Sequence, residues 1–349
     1  MSIPGKLTFA YPGNLDLKTG GYGYDRRILA ELERQGWDIE RVSLGEGFPA
    51  PSLLTKQAAE ANLSALPDDT LVVIDGLAFG VLDDWAHQET DRLKIVALVH
   101  HPLALETGLT SNQRDRLLKS ERKALCACRH VIVTSPNTQK ELIAHYGVGE
   151  GKITIALPGT NPAPGAVGDG VTPHIVSIGT MIPRKGHDIL IAALKMIDDL
   201  VWRATLVGSK TLSPQTAKAL EEQIQTSGLG NKIALVGEVD DTSEILAKAD
   251  IFALASRYEG YGMVFAEALS HGLPIVACKA GAVPDVIPAD AGYLVPVDDA
   301  QALAESLRTL LERPTIRKQM ASAAKEASKN LPKWAESAQI ISTRLEALQ

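Results

Sequence analysis

Residues 250–272 read DIFALASRYEGYGMVFAEALSHG. The apolar run at the start has the length and bounds of a buried strand, RYEGYGM reads as a turn, and VFAEALSHG has helical spacing. The same unit recurs outward in both directions. Within the second half it runs from HIVSIGT through DILIAALKMI, ATLVGS, AKALEEQIQTSG, KIALVG and EILAKA, and beyond the quoted stretch to PIVAC. The first half repeats the rhythm with KLTFAY, RRILAELERQG, DIERVSL, LVVID, KIVALVH, HVIVTS and KITIAL. Strands that alternate with helices imply parallel sheets covered on both faces, so the fold class is α/β with two doubly wound sheets. Between the two series lies PGTNPAPGAVGDGVTP, residues 158–173, in which eight of sixteen residues are Pro or Gly. That density breaks helix and strand alike and predicts a flexible domain linker across which the halves move. The expected division is a first domain over 1–160, a second over 161–330 and a terminal helix over 331–349.

The 349 residues exceed one ordinary domain, and 45% hydrophobic with 22% charged side chains describes a soluble globular chain with ample core. No run of about 18 apolar residues occurs, and MSIPGKLTFAYPG lacks the basic start and apolar centre of a secretory signal, so a cytoplasmic location is expected. Three cysteines cannot form a disulfide framework; Cys126 and Cys128 read as small buried hydrophobes rather than metal ligands. A net charge of −7 argues against sequence-independent nucleic-acid binding.

Chemistry is expected at strand ends. Gly260 and Gly262 free the backbone around Glu259 and Tyr261, and the amides that open the next helix, at Met263 and Val264, suit a diphosphate. Glu267 lies inside that helix, where a solvated carboxylate is the plain alternative. After HIVSIGT come Arg184 and Lys185, cations able to neutralise phosphate at the edge of a sheet. Gly20 and Gly21 sit between the first strand and RRILAELERQG, although the spacing fails as a dinucleotide fingerprint because Arg26 stands where a third glycine belongs. His100 and His101 end KIVALV, with His100 the preferred site residue. Arg114, Arg116, Lys119, Arg122 and Lys123 line a helix opposite Leu117, Leu118 and Leu125 and read as a solvated face, membrane-surface contact being the alternative.

On these residues the chain resembles family 4 of the glycosyltransferases, retaining enzymes of GT-B fold, in which two Rossmann-like domains face each other across a cleft. The resemblance covers nearly all the sequence and is strongest over 175–296. It implies that Glu259 meets the donor sugar hydroxyls, Glu267 the ribose, Lys185 the donor phosphates and the backbone near Val239 the base. It places Gly20 and Gly21 near the phosphates and acceptor, a histidine here near the transferred sugar, and the terminal helix back on the first domain. Where the family often carries arginine after the glycine of the first strand of the second domain, this chain has Thr180 after Gly179, and Arg184 is the expected substitute. The implied activity is transfer of a hexose from a UDP- or GDP-linked sugar to a saccharide or lipid-linked acceptor, without a metal, cofactor or nucleic-acid partner and with peripheral membrane contact as an option. Two other readings use the same residues. A glycoside hydrolase would take Glu259 and Glu267 as its carboxylate pair, and a non-catalytic nucleotide-sugar-binding subunit is the reading that Thr180 raises.

Overall fold

The structure is a computed structural model that describes residues 5–168, 170 and 172–349. The chain divides into two compact units: Met1–Gly159 together with Pro332–Gln349, and Thr160–Leu331.

The first unit runs β1 (Lys6–Tyr11), α1 (Gly20–Arg34), β2 (Asp38–Ser43), α2 (Leu53–Ser64), β3 (Leu71–Asp75), α3 (Gly76–Phe79), α4 (Asp83–Glu89), β4 (Lys94–Val99), α5 (Ser111–Ala127), β5 (His130–Val133), α6 (Pro136–Tyr146) and β6 (Ile153–Ile155). Its six strands are all parallel in the order β2-β1-β3-β4-β5-β6. β3 is LVVID with every residue buried, the continuous apolar run of a strand covered on both faces. Helix starts follow local chemistry. Thr19 caps α1 by accepting from the amide of Tyr22, Thr110 and Gln113 form a capping box on α5, and Ser135 with Pro136 opens α6, which ends at left-handed Gly147. The Thr19 cap moves one sequence expectation: Gly20 and Gly21 are not a turn ahead of the first helix but its first turn.

The second unit runs β7 (His174–Ile178), α7 (His187–Met196), β8 (Arg203–Val207), α8 (Pro214–Thr226), β9 (Ile233–Val236), α9 (Ser243–Leu246), β10 (Ile251–Leu254), α10 (Met263–Ser270), β11 (Ile275–Cys278), α11 (Val283–Val286), β12 (Gly292–Val295), α12 (Ala300–Glu312) and α13 (Pro314–Ser328). Its strands are again all parallel, in the order β12-β11-β10-β7-β8-β9. Leu190, Leu194, Trp202, Leu220 and Leu307 close its core between sheet and helices.

The proline- and glycine-rich stretch is not a free tether. Ala166 N donates to His271 O at 2.6 Å and Val167 N to Ala247 O at 3.0 Å, while Ser270 Oγ donates to Asn161 O and Lys325 Nζ to Ala163 O. The described part of the stretch takes an extended path bonded along the second unit; Asp169 and Val171 of the stretch lie outside the described residues. Among the described residues no helix is long and apolar enough to cross a membrane.

The last helix, α14 (Trp334–Glu346), packs on α1. Trp334 is 7% exposed, meets the Tyr24 ring edge-on at 5.9 Å and carries the Arg27 guanidinium 5.8 Å from its centroid. Trp37 Nε1 donates to Ser342 Oγ at 2.8 Å, and Ser337 Oγ donates to Leu157 O at 2.5 Å. Truncation of Trp334 to Ala removes this anchor and is expected to destabilise the first unit by about 3 to 5 kcal/mol in urea unfolding followed by circular dichroism. A change below about 1 kcal/mol would show that α14 is not part of that unit's core.

Candidate functional site

In each sheet the strand order turns back on itself. The second unit runs β7, β8, β9 to one side and then places β10, β11, β12 on the other side of β7. In the first unit β2 lies on one side of β1, and β3 and its successors on the other. Loops after the strands that flank such a reversal splay apart at the carboxyl edge and leave room for a ligand.

At the reversal of the second unit stand Lys185, after β7, and Glu259, after β10. Lys185 Nζ donates to Glu259 Oε1 at 2.6 Å, and Ser256 Oγ donates to the same oxygen at 2.6 Å. Arg184 Nη1 lies 3.5 Å from Glu259 Oε2 and donates to Tyr258 O at 2.9 Å. Glu259 is 4% exposed. Burial pushes its carboxyl upward, but the charges of Lys185 and Arg184 and the hydrogen bonds from Lys185 and Ser256 outweigh it, so the pKa is held below the ordinary 4.5 and the group is ionised. Two glycines make the approach possible. Gly186, at φ +63°, ends the turn Pro183–Lys185, and a Cβ there would lie 1.9 Å from Ala255 O. Gly281, at φ +55°, faces Glu259 O, which a Cβ would meet at 2.2 Å and which accepts from the amide of Ala282 at 2.9 Å. Arg257 braces the outer side of the loop through both oxygens of Asp188, at 2.7 and 3.1 Å, and through Asp298 at 2.7 Å.

Beyond Glu259 the chain passes buried Gly260 and Tyr261, whose hydroxyl burial pushes up to about 12, to Gly262, the left-handed cap of α10. Among the described residues no side chain caps that helix, so the amides of Met263 and Val264 in its first turn stay available as donors at the positive end of the helix dipole. Glu267 is half-buried in the second turn of α10, and Val239 is half-buried on the loop after β9, at the same carboxyl edge.

At the reversal of the first unit, His100 follows β4 and its Nε2 lies 3.0 Å from Asp25 Oδ1 and 3.8 Å from Asp75 Oδ2. Asp25 is 0% and Asp75 2% exposed, whereas the His100 side chain is 19% exposed. Asp75 Oδ1 accepts from the amide of Leu77 at 2.7 Å and caps α3. Tyr24 meets the imidazole edge-on at 5.4 Å, and Gly21 lies over the ring, 3.3 Å separating its would-be Cβ from His100 Cδ2. Burial lowers the affinity of His100 for a proton, yet Asp25, by charge and hydrogen bond, and then Asp75 raise its pKa to about 9. Burial and the neighbouring Asp25 charge raise Asp75 to about 7. One atom each from Asp25, Asp75 and His100 falls within 4.8 Å of the others. Nε2 faces Asp25 at hydrogen-bond distance, so with His100 protonated the three side chains form a proton-sharing cluster. His101 is turned to Glu106, 3.5 Å away.

Asp25, Asp75 and Ser256 were not among the candidate residues. Asp25 left a signal: it occupies a position of the apolar stripe Tyr24, Ile28, Leu29, Leu32 of α1, where a carboxylate needs a partner. Asp75 is the one charge in LVVID. Ser256 is a small residue whose part emerges only when β10 is placed. One expectation is corrected outright: Cys128 is buried but Cys126 is exposed, because α5 turns it to solvent before ending at Ala127. Arg114, Arg116, Lys119, Arg122 and Lys123 are exposed, with Leu117 and Leu125 buried beneath, and Lys123 pairs with Asp83 and Asp84.

The sequence of residues 169–327 matches the family model for glycosyl transferases group 1, and residues 71–163 match that for glycosyltransferase family 4. The chain has the GT-B fold, with a match to a glycosyltransferase model in each half. It is 25% identical over 273 residues to a D-inositol 3-phosphate glycosyltransferase of Corynebacterium diphtheriae, a match over 70% of this chain but only 64% of that relative's length. Among solved structures, a sucrose-phosphate synthase from Thermosynechococcus elongatus superposes with a TM-score of 0.83 at 21% identity, over 98% of both chains. HepE of Anabaena in complex with UDP-glucose superposes with a TM-score of 0.76 at 19% identity, over 97% of this chain and 99% of that one.

For this GT-B chain the depressed pKa of Glu259 carries a sign for stability. The unfolded carboxyl binds a proton at higher pH than the folded one, so the contribution is fully present above about pH 4.5 and is lost as pH falls through the folded value. Glu259→Gln, which leaves Lys185 buried without its anion, is expected to cost about 3 kcal/mol at pH 7 and progressively less in acid, where the native side chain is itself protonated. Urea unfolding of both proteins from pH 7 to pH 3 checks this; a difference independent of pH would mean that Glu259 is not held as a carboxylate.

Proposed function

We propose that the protein transfers a hexose-type sugar from a nucleoside-diphosphate sugar, UDP- or GDP-linked, to an acceptor hydroxyl with retained anomeric configuration, in glycan, glycolipid or envelope polysaccharide synthesis. The observation that supports it best is the Lys185–Glu259 pair at the strand-order reversal, beside the uncapped start of α10. A diphosphate leaving group gathers negative charge as the glycosidic bond breaks, and stabilising it is the main electrostatic demand of the reaction. Lys185 and Arg184, with the amides from Met263 and Val264, are the groups proposed to meet that charge without a metal. Glu259 orients the sugar hydroxyls, Glu267 takes the ribose and the backbone at Val239 the base. In the first unit, His100 takes the transferred sugar, and Gly20 and Gly21 let phosphate or acceptor approach the backbone. The bond from sugar to phosphate oxygen breaks, the acceptor oxygen bonds the same face of the sugar, and the acceptor's proton passes to the departing phosphate oxygen.

The acceptor is a saccharide or a lipid-linked saccharide, and the exposed cations of α5 are the surface proposed to meet the inner membrane face in the second case. Glu259, held ionised by its neighbours, is unsuited to the general-acid step of a glycoside hydrolase. A binding subunit without activity would bind donor and release no nucleoside diphosphate.

Lys185→Ala is expected to lower kcat by about 10²- to 10³-fold, the loss usual for one electrostatic stabiliser, measured as nucleoside-diphosphate release from the nucleotide sugar that raises the melting temperature most. Activity within a few fold of the native protein would remove Lys185 from the reaction. Calorimetry separates the two glutamates: Glu267→Gln should weaken the bare nucleoside diphosphate, whereas Glu259→Gln should weaken only the intact donor.

A further inference from the structure

We propose that Asp25 is a positioning residue for His100: its buried carboxylate holds Nε2, keeps the ring an imidazolium and leaves Nδ1–H as the donor offered to an oxygen of the bound sugar, with Asp75 completing the cluster. The proposal rests on the reading that His100 meets the transferred sugar.

The geometry carries it. Asp25 sits in the apolar stripe of α1 with 0% exposure and bonds His100 at 3.0 Å through Oδ1, while Oδ2 has no hydrogen-bond partner among the described residues. A carboxylate so placed needs a cation, and the imidazolium of His100 stands at hydrogen-bond distance. The same carboxylate lies against that of Asp75. Two ionised carboxylates cannot share that space, whereas a proton on Asp75 supplies Asp25 with a second donor and removes the repulsion. Tyr24 stands edge-on to the ring, Gly21 leaves room above it, and the backbone that carries it is held by the His100 carbonyl, which accepts from Thr134 Oγ1 at 3.1 Å and Thr138 Oγ1 at 3.4 Å. Among the described residues, Asp25 and Asp75 are the charges that act on His100. Tyr22 and Tyr24 of α1 are held neutral, Tyr22 by burial and by the charges of Asp75, Asp25 and Glu46, and Tyr24 by burial and Asp25. His101 is engaged by Glu106. The high pKa of His100 and the raised pKa of Asp75 agree with this division of protons.

An imidazolium in this position is a hydrogen-bond donor and a fixed positive charge, not a general base. The test is ring NMR of the full-length protein, with the His100 signals assigned by their absence in His100→Gln, together with initial rates of nucleoside-diphosphate release. In the native protein His100 is expected to stay protonated through neutral pH. Asp25→Asn should drop its midpoint by about one pH unit or more and lower kcat by about ten-fold or more, with little change in KM for the donor. Asp75→Asn, whose amide still donates to Asp25, should lower the midpoint less than Asp25→Asn does. A native His100 that titrates near the ordinary 6.5 overturns the proposal without any variant, as does an Asp25→Asn midpoint that does not move or an equal drop in both variants. If the midpoints behave as expected while His100→Ala keeps its activity within a few fold, what falls is the reading of His100 as a sugar contact, and with it the purpose assigned to Asp25.

Discussion

The ion pair between Lys185 and Glu259 joins the loop after β7 to the loop after β10, and those strands are the two between which the second sheet reverses its order. A parallel sheet covered on both faces keeps polar groups out of its strands, so they gather at the carboxyl edge, where the reversal opens room for them. Glu259 is nevertheless buried, and a buried carboxylate is tolerated only with a cation and hydrogen bonds around it. That requirement orders the neighbourhood. Ser256 must follow β10 at the spacing that reaches Oε1, Gly281 must lack a side chain for the next loop to close on Glu259 O, and Gly186 must adopt a left-handed turn against Ala255 O so that Lys185 points inward.

The first unit meets a similar demand with different chemistry. Asp25 is as buried as Glu259, but its cation is a histidine and its second neighbour is another carboxyl group. A lysine ammonium keeps its charge across the physiological range, whereas a cluster of Asp25, Asp75 and His100 balances its charge by where it keeps protons. The second unit therefore holds a permanent salt bridge at its reversal and the first a proton-sharing group. The glycines differ accordingly: Gly186 and Gly281 let backbone approach backbone, while Gly21 leaves space above an aromatic ring.

Alternating apolar runs and helical stretches were enough to read both sheets, because LVVID and DIFALAS become strands through burial alone, which composition reveals. Lys185 and Glu259 were legible for the same reason, standing in the polar breaks that follow such runs. Legibility ended where a residue's part depends on what another element brings to it. Asp25 lies in a helix whose stripe is otherwise apolar, and nothing local says that β4 will set His100 3.0 Å away. The stretch 158–173 is legible only in part: Pro and Gly predict an absence of helix and strand, which holds over the described residues, but say nothing of the partners that His271, Ala247, Ser270 and Lys325 supply. Thr19 displaced the start of α1 by one hydrogen bond to the amide of Tyr22, a small local term that decides whether Gly20 and Gly21 are turn or helix.

The pairing of Lys185 bears on what Thr180 means. Arg184 donates to the carbonyl of Tyr258 at 2.9 Å and stands 3.5 Å from Glu259, so its guanidinium also braces the loop that carries the carboxylate. Two cations against one anion leave the group with one net positive charge, and the dipole of α10 adds a partial charge of the same sign. An anion arriving at this edge does not meet a bare lysine; it has to draw the ammonium partly away from Glu259, and the gain is the difference between two charge-assisted contacts rather than the whole of one. Such a difference favours a ligand that gives Glu259 new partners at the same moment. Hydroxyl groups do so by donating to the freed carboxylate, whereas an anion without them leaves it buried and short of donors. On the proposed reading, a site built on a pre-formed pair would discriminate by what accompanies the negative charge, with Arg184 holding the loop in place while the pair is shared.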